Sequence, residues 1–301
     1  MTHVHIIAGP TASGKTAFAL DKAQSVACTI INADSVQLYD VMPVLTARPT
    51  AEEQAQAPHK LFGILSPEES CSAERWRGLA LDAIYDAARE NRLPILVGGT
   101  GFYLKALLEG FSPIPDIDPA VRKLASAEQE RLGNPGFYEE LAKRDPAISD
   151  KLHPNDTQRL IRAWEVFEAT GKSITHWQSL PPSGPPDGMS FEIDIILPPR
   201  ETLHRKINAR FDQMIEQGAL EEVKELAAMI ADGLVPLDAE IVKAHGFRPL
   251  RAYLNGEISF EDAAEHTKAE TRQYAKRQTT WLRHQIKAEG AVKNINIIES
   301  R

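Results

Sequence analysis

Apolar positions follow three different rhythms along the chain. In the first third, short continuous apolar runs alternate with helical periodicity. Residues 4–9, VHIIAG, are an apolar run closed by glycine, and a helix pattern follows over residues 14–26. CTIINAD, residues 28–34, is a second, β-branched run. Residues 72–92 place Leu79, Ile84, Ala87 and Ala88 in helical order, and LPILVGG, residues 93–99, is a third apolar run before a helix over 102–109. Buried strands separated by helices predict a parallel sheet covered on both faces.

The rhythm then breaks at FSPIPDIDP, residues 111–119, and again at LPPSGPPDG, residues 180–188. Between these proline-bearing segments the chain is polar and mostly helical. After them FEIDIIL, residues 191–197, returns to a strand pattern. The two segments read as stiff linkers around a helical insertion, or as ordinary surface loops. The last third is helical in pattern over residues 203–216, 220–231 and 260–287. The expected fold is α/β, a core of residues 1–112 and 190–301 with a parallel sheet flanked by helices, plus an inserted all-helical domain, residues 113–189.

Composition narrows the class without naming a function. An apolar share of 43% with a quarter of residues charged is an ordinary globular balance. No run is long enough to span a bilayer, and the opening residues lack a charged segment followed by an apolar one, so neither membrane nor secretory signal is expected. Cys28 and Cys71 stand far apart, which excludes a disulfide framework or a cysteine zinc site and fits a reducing cytoplasm. The net charge of −8 argues weakly against nucleic acid, unless the basic residues cluster.

They do cluster. TRQYAKRQTTWLRHQIK, residues 271–287, holds five Lys or Arg and no acid. On a helical wheel Arg272, Lys276, Arg283 and Lys287 fall within about 60° of one another, with Tyr274, Trp281 and Leu282 on the core side. Such a stripe is a footprint for a polyanion, or a solvated helix face.

The strongest chemical signal is GPTASGKT, made of Gly9, Pro10, Thr11, Ala12, Ser13, Gly14, Lys15 and Thr16. It is a phosphate-binding P-loop pattern with a strand before it and a helix after it. Glycines let backbone amides converge, the helix N-terminus adds positive charge, Lys15 can reach a terminal phosphate, and the Thr16 hydroxyl can ligate Mg²⁺. Asp34 closes the second strand, where open parallel sheets bind ligands, and reads as a general base or as a turn carboxylate. Thr100, among Gly98, Gly99 and Gly101, ends the third strand at the same side, or is a small turn residue without a role. Arg210 lies about 20° from Leu203 on a buried helical stripe, where a guanidinium needs an anion, either a diphosphate or a structural carboxylate. HPNDTQRLIRAWEVFEATGK predicts a helix capped by Asn155 or Asp156 and stopped by Gly171, with Arg159 and Arg162 turned away from its buried face.

Taken with ADSVQLY, TARPT, APHKLF, LVGGTGFYLKALLEG, ARFDQMIEQG and YLNGEIS, these motifs resemble the bacterial tRNA dimethylallyltransferases, also called tRNA isopentenyltransferases. The resemblance runs from Gly9 nearly to Arg283. It implies transfer of a five-carbon prenyl group from dimethylallyl diphosphate to the exocyclic N6 amine of the adenine immediately 3′ of the anticodon. On that reading the P-loop and Mg²⁺ grip the diphosphate, Arg210 adds positive charge, Asp34 accepts the amine proton and Thr100 bonds the same centre. Ser35, Gln37 and Leu38 face the RNA, with Gln37 reading an extruded adenine. Arg159 and Arg162 clamp the anticodon stem, and Arg272, Lys276 and Arg283 meet the backbone. A cytoplasmic monomer is expected.

Val41 and Leu45 stand where relatives usually have glycine, and His245 and Phe247 where an aliphatic residue and a tyrosine are usual. A P-loop small-molecule kinase and a prenyltransferase acting on free adenine nucleotides are the rival readings. The former would need an arginine-rich lid, which the sequence lacks, and the latter needs neither the insertion nor the basic stripe.

Overall fold

The computed structural model describes residues 1–149 and 151–299, which divide into two compact units. One joins Met1–Leu108 to Pro186–Arg301, and the other is Glu109–Pro185.

The larger unit is built on six parallel strands in the order β3-β2-β4-β1-β5-β6. These are β1 (Thr2–Ala8), β2 (Cys28–Asn32), β3 (His59–Lys60), β4 (Leu93–Gly98), β5 (Met189–Ile196) and β6 (Val292–Ile298). Ile6, Ile7, Ile30, Ile31, Ile95 and Leu96 are essentially inaccessible to solvent. Central strands are therefore buried on both faces, and this is why their sequences are continuous apolar runs rather than alternations.

Helices α1 (Lys15–Ala23), α2 (Ala51–Gln54) and α3 (Ala73–Arg89) connect the first four strands, and α4 (Gly101–Glu109) follows β4. In the smaller unit, α5 (Pro119–Arg144), α6 (Pro146–Ser149), α7 (Thr157–Thr170) and α8 (Ile174–Gln178) follow, with no strand among its described residues. After β5 come α9 (Arg200–Glu216), α10 (Ala219–Ala231), α11 (Phe247–Leu254) and α12 (Phe260–Gln285). The C-terminal third is thus not wholly helical as its pattern suggests. VKNINII pairs in parallel with β5 as an edge strand, its apolar pattern interrupted by the exposed Lys293 and Asn294 and by Asn296, whose side chain turns to Asp194.

Beside β1 and β5 the larger unit holds a closed polar cluster. His5 and Asp194 are both buried and their side chains meet at 2.8 Å, Nε2 to Oδ2. Lys22 Nζ lies 3.1 Å from His5 Nδ1 and 3.6 Å from Asp194 Oδ2, and Asn296 Nδ2 donates to Asp194 Oδ1 at 2.8 Å. Because the ammonium can only donate, His5 Nδ1 is the acceptor and Nε2–H donates to the carboxylate. The cluster ties α1 and the edge strand β6 to the middle of the sheet.

The smaller unit has its own core around Phe137, Leu141, Leu160, Ala163 and Val166. Phe137 stacks on Trp164 at 4.6 Å between ring centroids, and the Arg144 guanidinium covers the Trp164 ring at 4.1 Å. Gly133, at φ 65°, with Pro135 just beyond it, breaks α5 into two segments. Asp156 caps α7 and Gly171 ends it in the left-handed region, as the residues predict.

Candidate active site

The P-loop joins β1 to α1. Gly14 caps the helix at φ 96° without a side-chain cap bond, so among the described residues the first amides of α1 are left to the loop's concavity. Gly9 is required by close packing, since a Cβ there would lie 2.6 Å from Ser13 Oγ and 2.7 Å from the Ile196 carbonyl oxygen. Ser13 Oγ is buried without a hydrogen-bond partner, and Lys15 Nζ donates to the Pro10 carbonyl at 2.7 Å. These groups form a cradle for an anion. Burial pushes the Lys15 ammonium down to about 8; Asp34 opposes that fall and Arg210 adds to it.

The loop opens on a cleft of about 640 Å³ within the larger unit. Thr11 to Ala17, Asp34 to Gln37, Ile207, Arg210, Phe211, His245, Tyr274 and Arg277 are among its lining. Asp34 follows β2, as ligand-binding residues of parallel sheets do. Its backbone is set by Asn32, a fully buried polar residue in an otherwise apolar strand. Asn32 Oδ1 accepts from the Asp34 amide at 2.8 Å, while its Nδ2 donates to the carbonyls of Asp34 and Leu61 at 2.9 and 3.0 Å. Burial raises the pKa of Asp34, and Lys15, the amides of Val36 and Gln37, and Arg210 pull it back.

Thr100 Oγ1 accepts the Ser35 amide at 3.0 Å, so it fixes the segment carrying Asp34. Gly98 permits this approach, because a Cβ there would meet Ala33 O at 2.1 Å. Tyr274 lines the cleft instead of packing on the core side of α12, and burial, followed by the Asp34 charge, raises its pKa.

Arg210 reaches the cleft from α9, whose Leu203, Ile207 and Phe211 are buried. Among the described residues no carboxylate forms a salt bridge with it. Burial lowers its pKa, with Asp34 and Glu53 opposing from a distance. Lys15, Asp34 and Arg210 therefore share one cleft, and no salt bridge joins any two of them. The arrangement can hold an anion between two cations and place a carboxylate beside it. Thr16 and Asp34 also offer oxygen ligands at the loop mouth, the donor type that Mg²⁺ takes together with phosphate oxygens.

Other sites expected from the sequence are placed unevenly. Gln37 lines the cleft, and its Nε2 donates to the Thr46 and Ala47 carbonyls at 2.9 and 3.0 Å, which commits the donor end of its amide. Ser35 is at the cleft too, but Leu38 is not, because its side chain is entirely buried. On α12, Lys276 and Arg283 are exposed and free of ion pairs among the described residues, whereas Arg272 is bound to Glu265 at 2.5 Å and Asn208 at 3.1 Å. In the smaller unit Arg159 pairs with Asp156 at 3.2 Å and Arg162 with the buried Glu165 at 2.9 Å.

Known proteins share this framework. The IPP transferase family model matches residues 37–285, and the isopentenyl transferase model matches residues 2–61. The tRNA dimethylallyltransferase of Rhodospirillum centenum is 48% identical over 95% of this chain and 90% of its own, and that of Nitrobacter hamburgensis 47% over 93% and 87%. The chain belongs to the tRNA dimethylallyltransferase family. Among solved structures, the tRNA isopentenylpyrophosphate transferase of Bacillus halodurans superposes with a TM-score of 0.67 at 32% identity, covering 99% of this chain and 90% of that one. A eukaryotic dimethylallyltransferase acting on tRNA reaches 0.78 at 30% identity, covering 94% and 70%.

The structure accommodates the residues expected to depart from the family pattern. The loop with Val41 and Leu45 is held by Glu222, whose carboxylate accepts the Val44 and Leu45 amides at 2.8 and 2.9 Å. Phe247 is fully buried, so its ring serves the core without a hydroxyl to satisfy. His245 lines the cleft with its ring 4.6 Å from that of Tyr274. Burial, and then Arg277, lowers its pKa. Asn32 and Tyr274 are the cleft-organising residues that pattern alone misses. A polar residue inside a β-branched run was the available signal for Asn32.

Proposed function

We propose that this chain transfers a dimethylallyl group from dimethylallyl diphosphate to the exocyclic N6 amine of the adenine immediately 3′ of the anticodon in tRNA, releasing diphosphate. The observation that carries this reading is the shared cleft of Lys15, Arg210 and Asp34, with its charges close but unpaired. An adenine amine is a weak nucleophile, since its lone pair is delocalised into the ring. Departure of diphosphate from an allylic carbon builds negative charge on oxygen and positive charge on carbon. Cations at one end and a carboxylate at the other stabilise both changes.

The P-loop amides and Lys15 hold the diphosphate, and Arg210 takes up charge as the carbon–oxygen bond breaks. Mg²⁺ held by Thr16 and the diphosphate would neutralise further charge on the leaving group. Asp34 accepts the proton that the amine loses as the nitrogen–carbon bond forms, while Thr100 keeps the Asp34–Ser35 segment in place. Because a stacked base cannot enter such a cleft, the adenine is flipped out of its loop, and the carbonyl of Gln37 accepts from that base. Lys276 and Arg283 meet the RNA backbone. Arg159 and Arg162 meet the anticodon stem; Arg159 exchanges its contact with the exposed Asp156 for phosphate at little loss, because such pairs contribute little in water, while the buried Glu165 keeps Arg122 at 3.3 Å when Arg162 turns away.

Mass analysis of anticodon-loop RNA, after incubation with the protein, Mg²⁺ and dimethylallyl diphosphate, tests this directly. A prenyl mass gain on the adenine beside the anticodon is expected. Modification of free adenine nucleotides but not of RNA, or ATP turnover on a small acceptor without prenyl transfer, would overturn it.

A further inference from the structure

One polar side chain of α12 has no place in the chemistry above and yet touches two of its loops. Gln278 is buried, at 5% exposure, between the small and apolar positions Ala275 and Leu282. Its Oε1 accepts the Thr11 amide of the P-loop at 2.8 Å. Its Nε2 donates to the Gly99 carbonyl, at the end of β4, at 2.9 Å. A carboxamide presents a donor and an acceptor from one rigid plane, and here each end is used by a different loop.

The packing is close enough to require Gly99 and Gly101 after β4. A Cβ on Gly99 would lie 2.4 Å from Gln278 Nε2 and 2.6 Å from the Gly9 carbonyl oxygen. A Cβ on Gly101 would lie 2.5 Å from the Trp281 ring. Gln278 and Trp281 therefore seat one face of α12 directly on the loop that carries Thr100. Lys276 lies about 160° around the helix from Gln278, and it is exposed. The Thr11 amide, committed to Gln278, is removed from the set of P-loop donors that can meet a phosphate.

We propose that Gln278 is a positioning residue that sets the P-loop against the β4-end loop, so that diphosphate affinity depends on this one carboxamide. The inference rests on the reading of the P-loop as a diphosphate holder. Without Gln278 the Thr11 amide and the Gly99 carbonyl lose their buried partners, and the loop relaxes away from the geometry its remaining amides need.

Inorganic pyrophosphate binding, measured by calorimetry on the full chain, is the test. Gln278→Leu should bind roughly 10-fold more weakly than the unaltered protein, the scale of one net hydrogen bond. Gln278→Glu separates positioning from general loss of fold. As a carboxylate it keeps the acceptor for Thr11 but opposes the Gly99 carbonyl, and as a carboxylic acid it regains a donor. Its affinity, relative to the unaltered protein at the same pH, should recover as pH falls from 8 to about 5, aided by burial that raises a carboxyl pKa. Gln278→Leu should show no such recovery. Should Gln278→Leu fail to fold, the acid recovery of Gln278→Glu alone decides. Unchanged affinity in the variants, or a Gln278→Glu deficit independent of pH, would overturn the positioning role while leaving the proposed reaction standing. An unaltered protein that does not bind pyrophosphate would overturn both.

Discussion

Two charged clusters lie in the same unit and are built by opposite rules. In the His5–Asp194–Lys22–Asn296 cluster every charge has a partner within reach, and the carboxylate receives the imidazole N–H, an ammonium and an amide. In the cleft, Lys15, Asp34 and Arg210 sense one another electrically but form no salt bridge among themselves. A closed network stabilises the fold because each buried group is satisfied. An open one is destabilising until something enters it, and perturbed charges kept apart in a cleft are characteristic of catalysis.

The comparison predicts that variants of the two clusters fail in different ways. The largest effect belongs to Asp34→Ala, which should lower single-turnover prenyl transfer by roughly 10²–10⁴-fold, the range of a lost general base. Thermal stability should hold or rise, because burial raises the Asp34 pKa and its charge opposes folding above the usual carboxylate range. Loss of RNA binding with normal residual chemistry would move Asp34 out of the base role.

Asp194→Ala should do the reverse. Removing the carboxylate strands the buried His5 N–H and leaves Lys22 without its counter-charge, at about 3 kcal/mol, discounted from a fully buried pair because Lys22 is one-third exposed. Turnover per folded molecule should stay unchanged, as read by urea denaturation beside an active-site titration. A proportionate loss of turnover in fully folded protein would merge the two clusters into one functional unit.

Much of this contrast was legible in the chain. GPTASGKT between a strand and a helix, an aspartate at a strand end, and an arginine on a buried stripe marked the cleft by local pattern. The closed cluster was not legible, because His5 and Asp194 are 189 residues apart and meet only through strand register. Gln278 was hidden for a similar reason, since its two partners lie 267 and 179 residues away. Tyr274 was misplaced because a helical wheel gives the angle between side chains but not which neighbours surround the helix. The edge strand β6 was lost to its polar positions, which weaken an already short apolar run.

Arg210→Gln sharpens the comparison from the cleft side. The variant keeps a hydrogen-bond donor but loses the charge, so KM for dimethylallyl diphosphate should rise roughly 10-fold or more, on the scale of a charge-assisted bond. Melting temperature should stay level, because no carboxylate in the described structure depends on this guanidinium. An effect confined to melting temperature would assign Arg210 to the closed kind of cluster.

The smallest effect is a pH signature of the closed cluster. Burial, followed by the Lys22 ammonium, lowers the His5 pKa, and Asp194 offsets only part of this. The folded state therefore binds fewer protons than the unfolded chain once pH falls below the usual imidazole value of about 6.5. The stability that neutral His5 contributes is complete above that pH and declines as pH drops towards its lowered folded value. Glu192 is also close enough to favour the protonated ring, yet it ranks last among the influences. His5→Asn should cost roughly 1 kcal/mol at pH 7.5, the scale of one buried hydrogen bond. That deficit should narrow at pH 5.5, where the unaltered protein has lost stability that the variant never had. Urea denaturation at the two pH values reads the difference. A deficit that stays constant would mean His5 does not titrate across this range, leaving its bond to Asp194 as its only contribution.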